Sequence, residues 1–202
     1  LRYGERVTGI VKIDATKIEG VYEYYLYNDL ILQCSKNIEF RTFMGNINTT
    51  NLEGNKISFD LSEETINKSI FGKEQEITHV NLERSATLET RIGGHLVEGH
   101  VEETGICREI EKLSESTIIT FEVNKNLLEN IIEKGYVAID GTSLTVNKIY
   151  DNTFQVSIIP HTLNETTFKN LKINQYVNVE TDVNARYIKK YVEDIIKRKS
   201  LW

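Results

Sequence analysis

The sequence predicts an all-β protein that contains two copies of one small domain, followed by a terminal α-helix. Short runs of β-branched and aromatic residues alternate with polar residues along most of the chain, which is typical of a barrel or sandwich. The second half repeats the pattern of the first, and the last residues change to a helical pattern. With 202 residues the chain is long enough for two such domains, each with its own core.

The first half contains three predicted strand regions. The segments from Val7 to Ile13 and from Val21 to Gln33 are rich in strand-forming residues. The segment Lys56–Leu61 alternates apolar and polar side chains, and Gly54 and Asn55 predict the turn before it.

An internal duplication becomes visible when the chain is aligned with itself. The segment from Asn55 to Asn67 lies over the segment from Asn152 to Asn164, an offset of 152 − 55 = 97 residues. The same offset, without a gap, places Val80–Glu83 over Val177–Glu180. This period is too long for a solenoid and suits a duplicated domain. We therefore predict domains at residues 1–93 and 94–185, and a terminal helix at 186–202.

Two segments of the second half have helical patterns. Asn124–Gly135 begins with a capping asparagine, carries apolar residues on one side and ends at a glycine. After Asp182 one apolar stripe runs along the helix, which must cover its own barrel or pair with copies of itself. The stripe consists of Tyr187, Ile188, Tyr191, Val192, Ile195 and Ile196.

Composition and charge exclude several function classes. A hydrophobic fraction of 40% and a charged fraction of 27% describe an ordinary folded protein. The net charge of -6 argues against a general nucleic-acid surface. The chain lacks both a long apolar run and a signal-peptide pattern, so we expect no membrane contact and a cytoplasmic location. Cys34 and Cys107 form no spaced motif and are expected to be free thiols.

The stretch from Lys134 to Val146 carries most of the candidate chemistry. Asp140–Gly141, between two strand-forming runs, is a strong hairpin signal. Because side chains two apart share a strand face, Ser143 and Thr145 should lie on one side of the returning strand. Paired hydroxyls suit a polyhydroxy ligand, and backbone groups at the hairpin mouth can bind the edge of a flat heterocycle. The alternative is that both are ordinary sheet-surface residues.

Two of the four histidines lie in the segment Gly94–Val101. His95 and His100 would face opposite sides of a strand, so a shared metal site is not expected. The glycine beside His100 would let a flat ligand approach the backbone, which makes His100 a candidate site residue. The alternative is a structural histidine. The sequence has no P-loop, dinucleotide fingerprint, nucleophile elbow or zinc pattern.

Further candidates come from the repeat. Thr65 and Thr162 occupy equivalent positions after an apolar strand, and Pro160, the single proline, is expected to punctuate the strand end. On local sequence alone, Lys134 and Asp182 are ordinary charged ends of a helix and a strand.

These residues resemble the riboflavin synthase family, whose members are lumazine-binding proteins with duplicated barrels. The resemblance implies two tandem six-stranded Greek-key β-barrels with short helices, and a C-terminal helix that joins three protomers. It also implies an active site between the N-terminal barrel of one protomer and the C-terminal barrel of another. The matching stretches are Thr8–Val11, Val80–Arg84, Gly93–Val101, Ile139–Val146, Ile159–Leu163 and Val177–Glu180.

The resemblance also implies a reaction that needs neither cofactor nor metal. Two molecules of 6,7-dimethyl-8-ribityllumazine exchange a four-carbon unit and give riboflavin and 5-amino-6-ribitylaminouracil. One lumazine loses a proton from its C7 methyl group and the other accepts a nucleophile at C7, so the protein mainly orients two flat rings. The expected partners are therefore this lumazine and riboflavin, bound by a homotrimer.

By resemblance, His100, Ser143 and Thr145 are the candidate catalytic residues, with His100 assisting proton transfer. Leu144 and Thr162 hold one pteridine in the C-terminal barrel together with the two hydroxyls. The second molecule would bind the N-terminal barrel through Gly9, Ile10, Val11, Glu64 and Thr65. The other substrate-binding residues that the resemblance implies are Gly99, Val101, Lys134, Ile159, Pro160, His161, Leu163 and Asp182.

The N-terminal copy departs from the family pattern. Where a hairpin equivalent to Gly141–Val146 is expected, the chain has Met44–Thr50, and Asn46 stands opposite Ser143. The family's reactive cysteine is missing, and Asn46 can hydrogen-bond a ribityl chain but cannot act as a thiolate. An alternative function is therefore a protein that binds a lumazine or flavin without turnover, as the family's bioluminescence antenna proteins do. Those are expected to lose their ligand features in the C-terminal barrel, whereas this chain keeps them there, so the synthase is preferred.

Overall fold

Antiparallel sheet is the main secondary structure of the described part of the chain, seen here in a computed structural model. The structure describes residues 9–12, 21–25, 39–42, 45–53, 56–73, 77, 79–84, 88 and 92–199. Cys34 lies outside these residues. Cys107 is a free thiol, as predicted, and its burial raises the pKa of the thiol to about 11.

The first half contributes six of the described strands. They pair antiparallel in the order β1-β2-β5-β4-β3-β6, and β1 also pairs with β6. The strand regions predicted at the start of the chain contain β1 and β2, and the part of the second prediction beyond Tyr25 lies outside the described residues. The strands are β1 (Gly9–Lys12), β2 (Val21–Tyr25), β3 (Glu39–Thr42), β4 (Gly45–Glu53), β5 (Lys56–Asp60) and β6 (His79–Arg84).

Six strands of the second half close into a barrel in the order β10-β11-β8-β7-β12-β9. Alternate side chains point into the barrel, and Phe121, Val137 and Phe154 are fully buried there. This closed six-stranded barrel confirms that the chain is mainly β. The strands are β7 (Glu103–Lys112), β8 (Thr117–Glu122), β9 (Tyr136–Ile139), β10 (Thr142–Ile149), β11 (Thr153–Ile158) and β12 (Tyr176–Thr181).

The helices are short apart from the last. They are α1 (Glu63–Lys68), α2 (Lys125–Leu128), α3 (Pro160–Glu165) and α4 (Val183–Lys199), with one-turn 3-10 helices at Ile70–Gly72 and Thr167–Asn170. Pro160 is the first residue of α3, where its missing N–H costs nothing. In the described part of the chain, no helix has the length and apolar character needed to cross a membrane.

The helix predicted over Asn124–Gly135 is wrong in its length, because α2 ends at Leu128. The chain after α2 instead joins the barrel, where Lys134 N–H donates to the carbonyl oxygen of Val146 at 2.9 Å. Lys134 has a φ of 64°, which a helix does not allow. Pairing with β10 therefore overrides the helical pattern.

The terminal helix begins at Val183, directly after Asp182, where the sequence pattern changes. The predicted boundary at 186 falls inside its first turn. All six apolar residues of the predicted stripe are exposed in this chain, with Tyr191 at 67% and Ile188 at 65%.

The hairpin predicted at Asp140–Gly141 is confirmed. Ile139 pairs with Thr142 across a two-residue turn, and both turn residues have positive φ, 46° and 76°. This conformation matches the twist of the flanking strands and strongly favours an Asp-Gly pair. The turn fixes the register that places Ser143 opposite Ala138.

The described elements repeat at the offset read from the sequence. His79–Arg84 and Tyr176–Thr181 differ by 97 residues, and so do the helices Glu63–Lys68 and Pro160–Glu165. Even an irregularity recurs: the register shift after Thr49 in β4 has its counterpart after Val146 in β10.

Two equivalent asparagines join the halves by reciprocal hydrogen bonds. Asn178 Oδ1 accepts from the backbone N–H of Ile70 at 2.8 Å, and Asn81 Oδ1 accepts from the N–H of Thr167 at 2.8 Å. Asn81 Nδ2 also donates to the carbonyl oxygen of Asp140 at 2.9 Å. Each half therefore supplies an acceptor for the 3-10 helix of the other.

We expect Asn178→Ala to lower the free energy of unfolding by about 1–3 kcal/mol, because it leaves the N–H of buried Ile70 without its acceptor. Asn170→Ala, at an exposed position, is the matched control and should change stability by less than about 0.5 kcal/mol. Urea unfolding measures both variants. An equal loss of stability in the two variants would contradict the role of Asn178 in joining the two halves.

Candidate functional site

A cavity of about 800 Å³ lies between α1 and the start of the second half. Its volume is within the range of small-molecule sites. Five residues predicted from the sequence line it, namely Glu64, Thr65, Gly99, His100 and Val101.

The α1 side of the cavity is fixed by a helix cap. Ser62 is the N-cap of α1, and its hydroxyl accepts from the N–H of Thr65 at 3.1 Å. The Ser62 and Thr65 hydroxyls also lie 3.0 Å apart, within hydrogen-bond distance. The capping serine thus holds Thr65 in place at the cavity wall.

The buried carboxylate of Glu180 fixes the cavity wall that contains Gly99. Glu180 on β12 accepts hydrogen bonds from the backbone N–H groups of Glu98 and Gly99, each at 2.9 Å. Burial raises the pKa of Glu180, and these N–H donors oppose the shift. Gly99 has a φ of 76°, which a residue with a side chain rarely adopts.

His100 is exposed beside this anchored turn, and its Nδ1 lies 3.1 Å from Glu98 Oε2. We expected His95 and His100 to lie on a strand, but residues 95–102 form no strand. Side-chain oxygens of Ser143 and Glu180 instead accept from the backbone N–H groups of His95, Glu98 and Gly99.

The hairpin side chains alternate as predicted. Ser143 and Thr145 lie on the outer face of β10, whereas Leu144 and Val146 are buried in the core. The shared face of the two hydroxyls is therefore confirmed. With its side chain in the core, Leu144 can offer a ligand only its backbone.

The hydroxyl of Ser143 is already engaged by the segment that precedes the cavity. Its Oγ accepts from the N–H of His95 at 3.1 Å and lies 2.7 Å from His95 Nδ1. Tyr136 stacks on the imidazole with ring centroids 5.3 Å apart. Burial lowers the pKa of His95, with an opposing effect from the carboxylate of Asp182. A neutral imidazole can accept a hydrogen bond from the Ser143 hydroxyl at Nδ1.

The structure does not bring all predicted residues together. None of Ser143, Thr145, Lys134 and Asp182 is among the residues that line the described cavity. Asp182 caps the start of α4 by accepting from the N–H of Asn184 at 2.9 Å.

The remaining predicted residues lie on other elements. Ile159 and His161 are exposed at the start of α3, and Leu163 packs against the barrel core. The backbone of Gly9, Ile10 and Val11 lies on β1, where it pairs with Leu82, Asn81 and Val80 of β6.

Sequence reasoning missed several cavity residues. Lys68, Asn126, Asn130 and Arg186 line the cavity, and His95 contacts the hairpin. The two asparagines belong to the segment predicted as a longer helix, and Arg186 stands just before the apolar stripe. Local patterns gave no signal for any of these lining residues. Among the residues with described positions, no three His, Cys, Asp or Glu side chains are grouped to hold a metal ion.

Comparison with known proteins agrees with this architecture. The family model for the lumazine binding domain matches residues 98–182. Riboflavin synthase of Actinobacillus pleuropneumoniae is 38% identical over 146 residues, 72% of this chain and 68% of that protein. The chain belongs to the riboflavin synthase family.

Other family members extend the match. Riboflavin synthase of Escherichia coli (strain K12) is 35% identical over 151 residues, 74% of this chain and 71% of that protein. Riboflavin synthase of Bacillus subtilis (strain 168) is 29% identical over 201 residues, which cover 96% of this chain and 93% of that protein.

Two solved structures have a similar fold. LumP complexed with riboflavin has a TM-score of 0.76 at 21% identity, and covers 86% of this chain and 96% of that chain. LumP complexed with 6,7-dimethyl-8-(1'-D-ribityl) lumazine has a TM-score of 0.73 at 19% identity, with the same coverage. At this identity the similarity concerns the fold alone.

Adjacent glycines provide a test of the hairpin contact. A Cβ at Gly94 would clash with Ser143 Oγ and lie 2.8 Å from Ser143 Cβ, whereas a Cβ at Gly93 meets nothing within 4 Å. We expect Gly94→Ala to lower the free energy of unfolding by about 1–3 kcal/mol and Gly93→Ala to be nearly neutral. Chemical denaturation compares the two, and the same small effect in both would refute the close packing on Ser143.

The hairpin turn makes stability depend on pH. Burial raises the pKa of Asp140 from 3.8 to about 7, while the N–H of Asn178, 2.7 Å from Asp140 Oδ1, opposes the shift. Between pH 3.8 and about pH 7 the Asp140 carboxyl keeps a proton in the folded protein that it releases in the unfolded chain. The free energy of unfolding therefore falls as the pH rises through this range.

We expect Asp140→Asn to flatten the pH profile of unfolding between about pH 4 and 7 and to raise stability above pH 7 by about 1 kcal/mol or more. The control is Asp151→Asn, in the exposed turn between β10 and β11. Thermal melts across this pH range test the prediction, and an unchanged slope in Asp140→Asn would contradict it.

Proposed function

We propose that the chain is a riboflavin synthase, which converts two molecules of 6,7-dimethyl-8-ribityllumazine into riboflavin and 5-amino-6-ribitylaminouracil. The observation that carries this proposal is the identity of 38% with a riboflavin synthase over 146 residues. The site residues support it, because the hydroxyl-bearing hairpin and the cavity residues from Gly99 to Asn130 lie within residues 98–182, which match the lumazine binding domain.

The residues have distinct roles in this proposal. Thr145 and Ser143 bind the polar groups of one lumazine on the outer face of β10. The second lumazine occupies the cavity beside Thr65. His100 lies at the cavity wall with its Nδ1 3.1 Å from Glu98 Oε2, a contact that orients the imidazole to take up and return a proton of the C7 methyl group. Leu144 contributes backbone groups.

The remaining predicted substrate contacts belong to the same proposal. Gly9, Ile10, Val11 and Glu64 serve the lumazine of the N-terminal half, together with Gly99 and Val101. The residues that serve the other lumazine are Lys134, Ile159, Pro160, His161, Thr162, Leu163 and Asp182.

We further propose that the halves are two tandem six-stranded Greek-key barrels, at residues 1–93 and 94–185. The constant offset between equivalent elements supports this division, as does the LumP fold, which covers 86% of the chain. The reciprocal bonds of Asn81 and Asn178 suit two related domains that face each other.

We propose a homotrimer built on the terminal helix. Six apolar side chains are exposed along α4, which is costly for a surface helix unless another chain covers them. Such an assembly would also bring the hairpin face of one protomer toward the cavity of another. Two lumazines could then meet although the hairpin and the cavity are separate within one chain.

One observation favours an alternative function, a protein that binds lumazine or flavin without turnover. Asn46 occupies the β4 position equivalent to Ser143, so the N-terminal hairpin lacks the family's cysteine. A ligand could bind there without the thiolate that assists turnover.

We expect the purified protein to convert 6,7-dimethyl-8-ribityllumazine to riboflavin over many turnovers, followed by the long-wavelength absorbance of riboflavin. Thr145→Val, which removes one hydroxyl at constant size, should lower kcat/KM about tenfold through loss of a hydrogen bond. Ser157→Ala, an exposed hydroxyl on β11, is the matched control and should leave kcat/KM unchanged.

Lumazine fluorescence in the same experiment reports binding. Tight binding without riboflavin would favour the alternative function and point to the altered N-terminal hairpin. A protein that neither binds nor converts the lumazine would overturn both proposals.

A further inference from the structure

The cavity wall contains buried polar atoms that no described group satisfies. Arg186 Nε and Nη2 lack a hydrogen-bond acceptor among the residues with described positions, and Asn130 Oδ1 lacks a donor. Both side chains line the cavity that Thr65 and His100 also line. An unsatisfied buried polar group costs about 1–3 kcal/mol, and a charged one costs more. Their shared position indicates that a ligand supplies the missing bonds.

The nearby carboxylates are committed to other partners. Glu102 Oε1 lies 4.0 Å from Arg186 Nε, too far for a hydrogen bond, and accepts instead from the backbone N–H of Thr181 at 2.8 Å and its hydroxyl at 2.6 Å. Glu103 accepts from the backbone and side chain of Asn124 at 2.9 and 2.7 Å. Neither carboxylate therefore satisfies the guanidinium of Arg186.

The chemistry of the lining indicates a neutral hydroxyl-bearing ligand. A hydroxyl group both donates and accepts, so a polyol can accept from Arg186 and donate to Asn130. The three carboxylates of Glu64, Glu102 and Glu103 outnumber the cationic side chains of Arg186 and Lys68, which disfavours a phosphate. The cavity therefore fits a sugar alcohol better than an anion.

We propose that Arg186 and Asn130 bind the ribityl hydroxyls of the lumazine in this cavity and determine its preference for a ribityl over an alkyl substituent. This inference rests on the proposed function, because it takes the lumazine as the ligand. Asn130 lies in the turn after α2 and Arg186 in the first turn of α4, so two elements outside the β-strands set the specificity.

The test compares two ligands that differ only in the substituent, 6,7-dimethyl-8-ribityllumazine and 6,7,8-trimethyllumazine. Isothermal titration of the full chain counts the sites and gives each Kd. In Arg186→Met we expect one class of sites to bind the ribityl ligand at least about tenfold more weakly, with the trimethyl ligand unaffected. Asn130→Leu should have the same selective effect, and it provides the test if the Arg186→Met variant does not fold.

Lys190→Met, one turn further along α4 in an exposed ion pair with Asp194, is the matched control and should change neither Kd. The inference is overturned if both ligands weaken equally, which would indicate a structural role, or if neither changes. Wild-type protein that binds neither ligand would overturn the proposed function itself, a result distinct from both of these.

Discussion

The reciprocal hydrogen bonds of Asn81 and Asn178 set the geometry on which both candidate sites depend. Asn178 holds Ile70, which directly follows α1 and Ser69, so it positions the wall of the cavity that carries Thr65. Asn81 reaches the carbonyl oxygen of Asp140 in the turn that precedes Ser143. Because a buried amide cannot lose its partner without cost, this joint keeps the halves in one arrangement.

The segment from Gly94 to Val101 links the two places where the predicted residues gather. At its beginning His95 packs on Ser143, and at its end Gly99 and His100 line the cavity. Between them Glu180 anchors the backbone from the barrel wall. The hairpin hydroxyl and His100 are therefore held by the same short segment of chain.

Much of the fold was predictable because its signals are local. The hairpin at Asp140–Gly141, the outward hydroxyls of β10 and the repeat offset follow from turn chemistry, alternation and self-similarity. The length of α2 was not predictable, because pairing of Lys134 with Val146 is a tertiary contact.

The site was only partly predictable for the same reason. Thr65 and His100 could be found from the repeat and from the resemblance, and they do line one cavity. Arg186 and Asn130 carry no local signal, since what distinguishes them is burial without partners, a property of the assembled fold. The engagement of Ser143 by His95 depends likewise on how the segment before β7 folds back.

The Asp140–Gly141 turn also affects the chemical stability of the protein during storage. Asp-Gly sequences are prone to rearrange through a cyclic imide, because glycine places no side chain near the nitrogen that attacks the aspartate carboxyl carbon. Here the N–H of Asn178 holds Asp140 Oδ1 at 2.7 Å, and the carbonyl oxygen of Asn178 accepts from the N–H of Asp140 at 3.0 Å. These two hydrogen bonds restrain both the side chain and the backbone of Asp140, so we expect damage at this bond to be slower in the folded protein than in the unfolded chain.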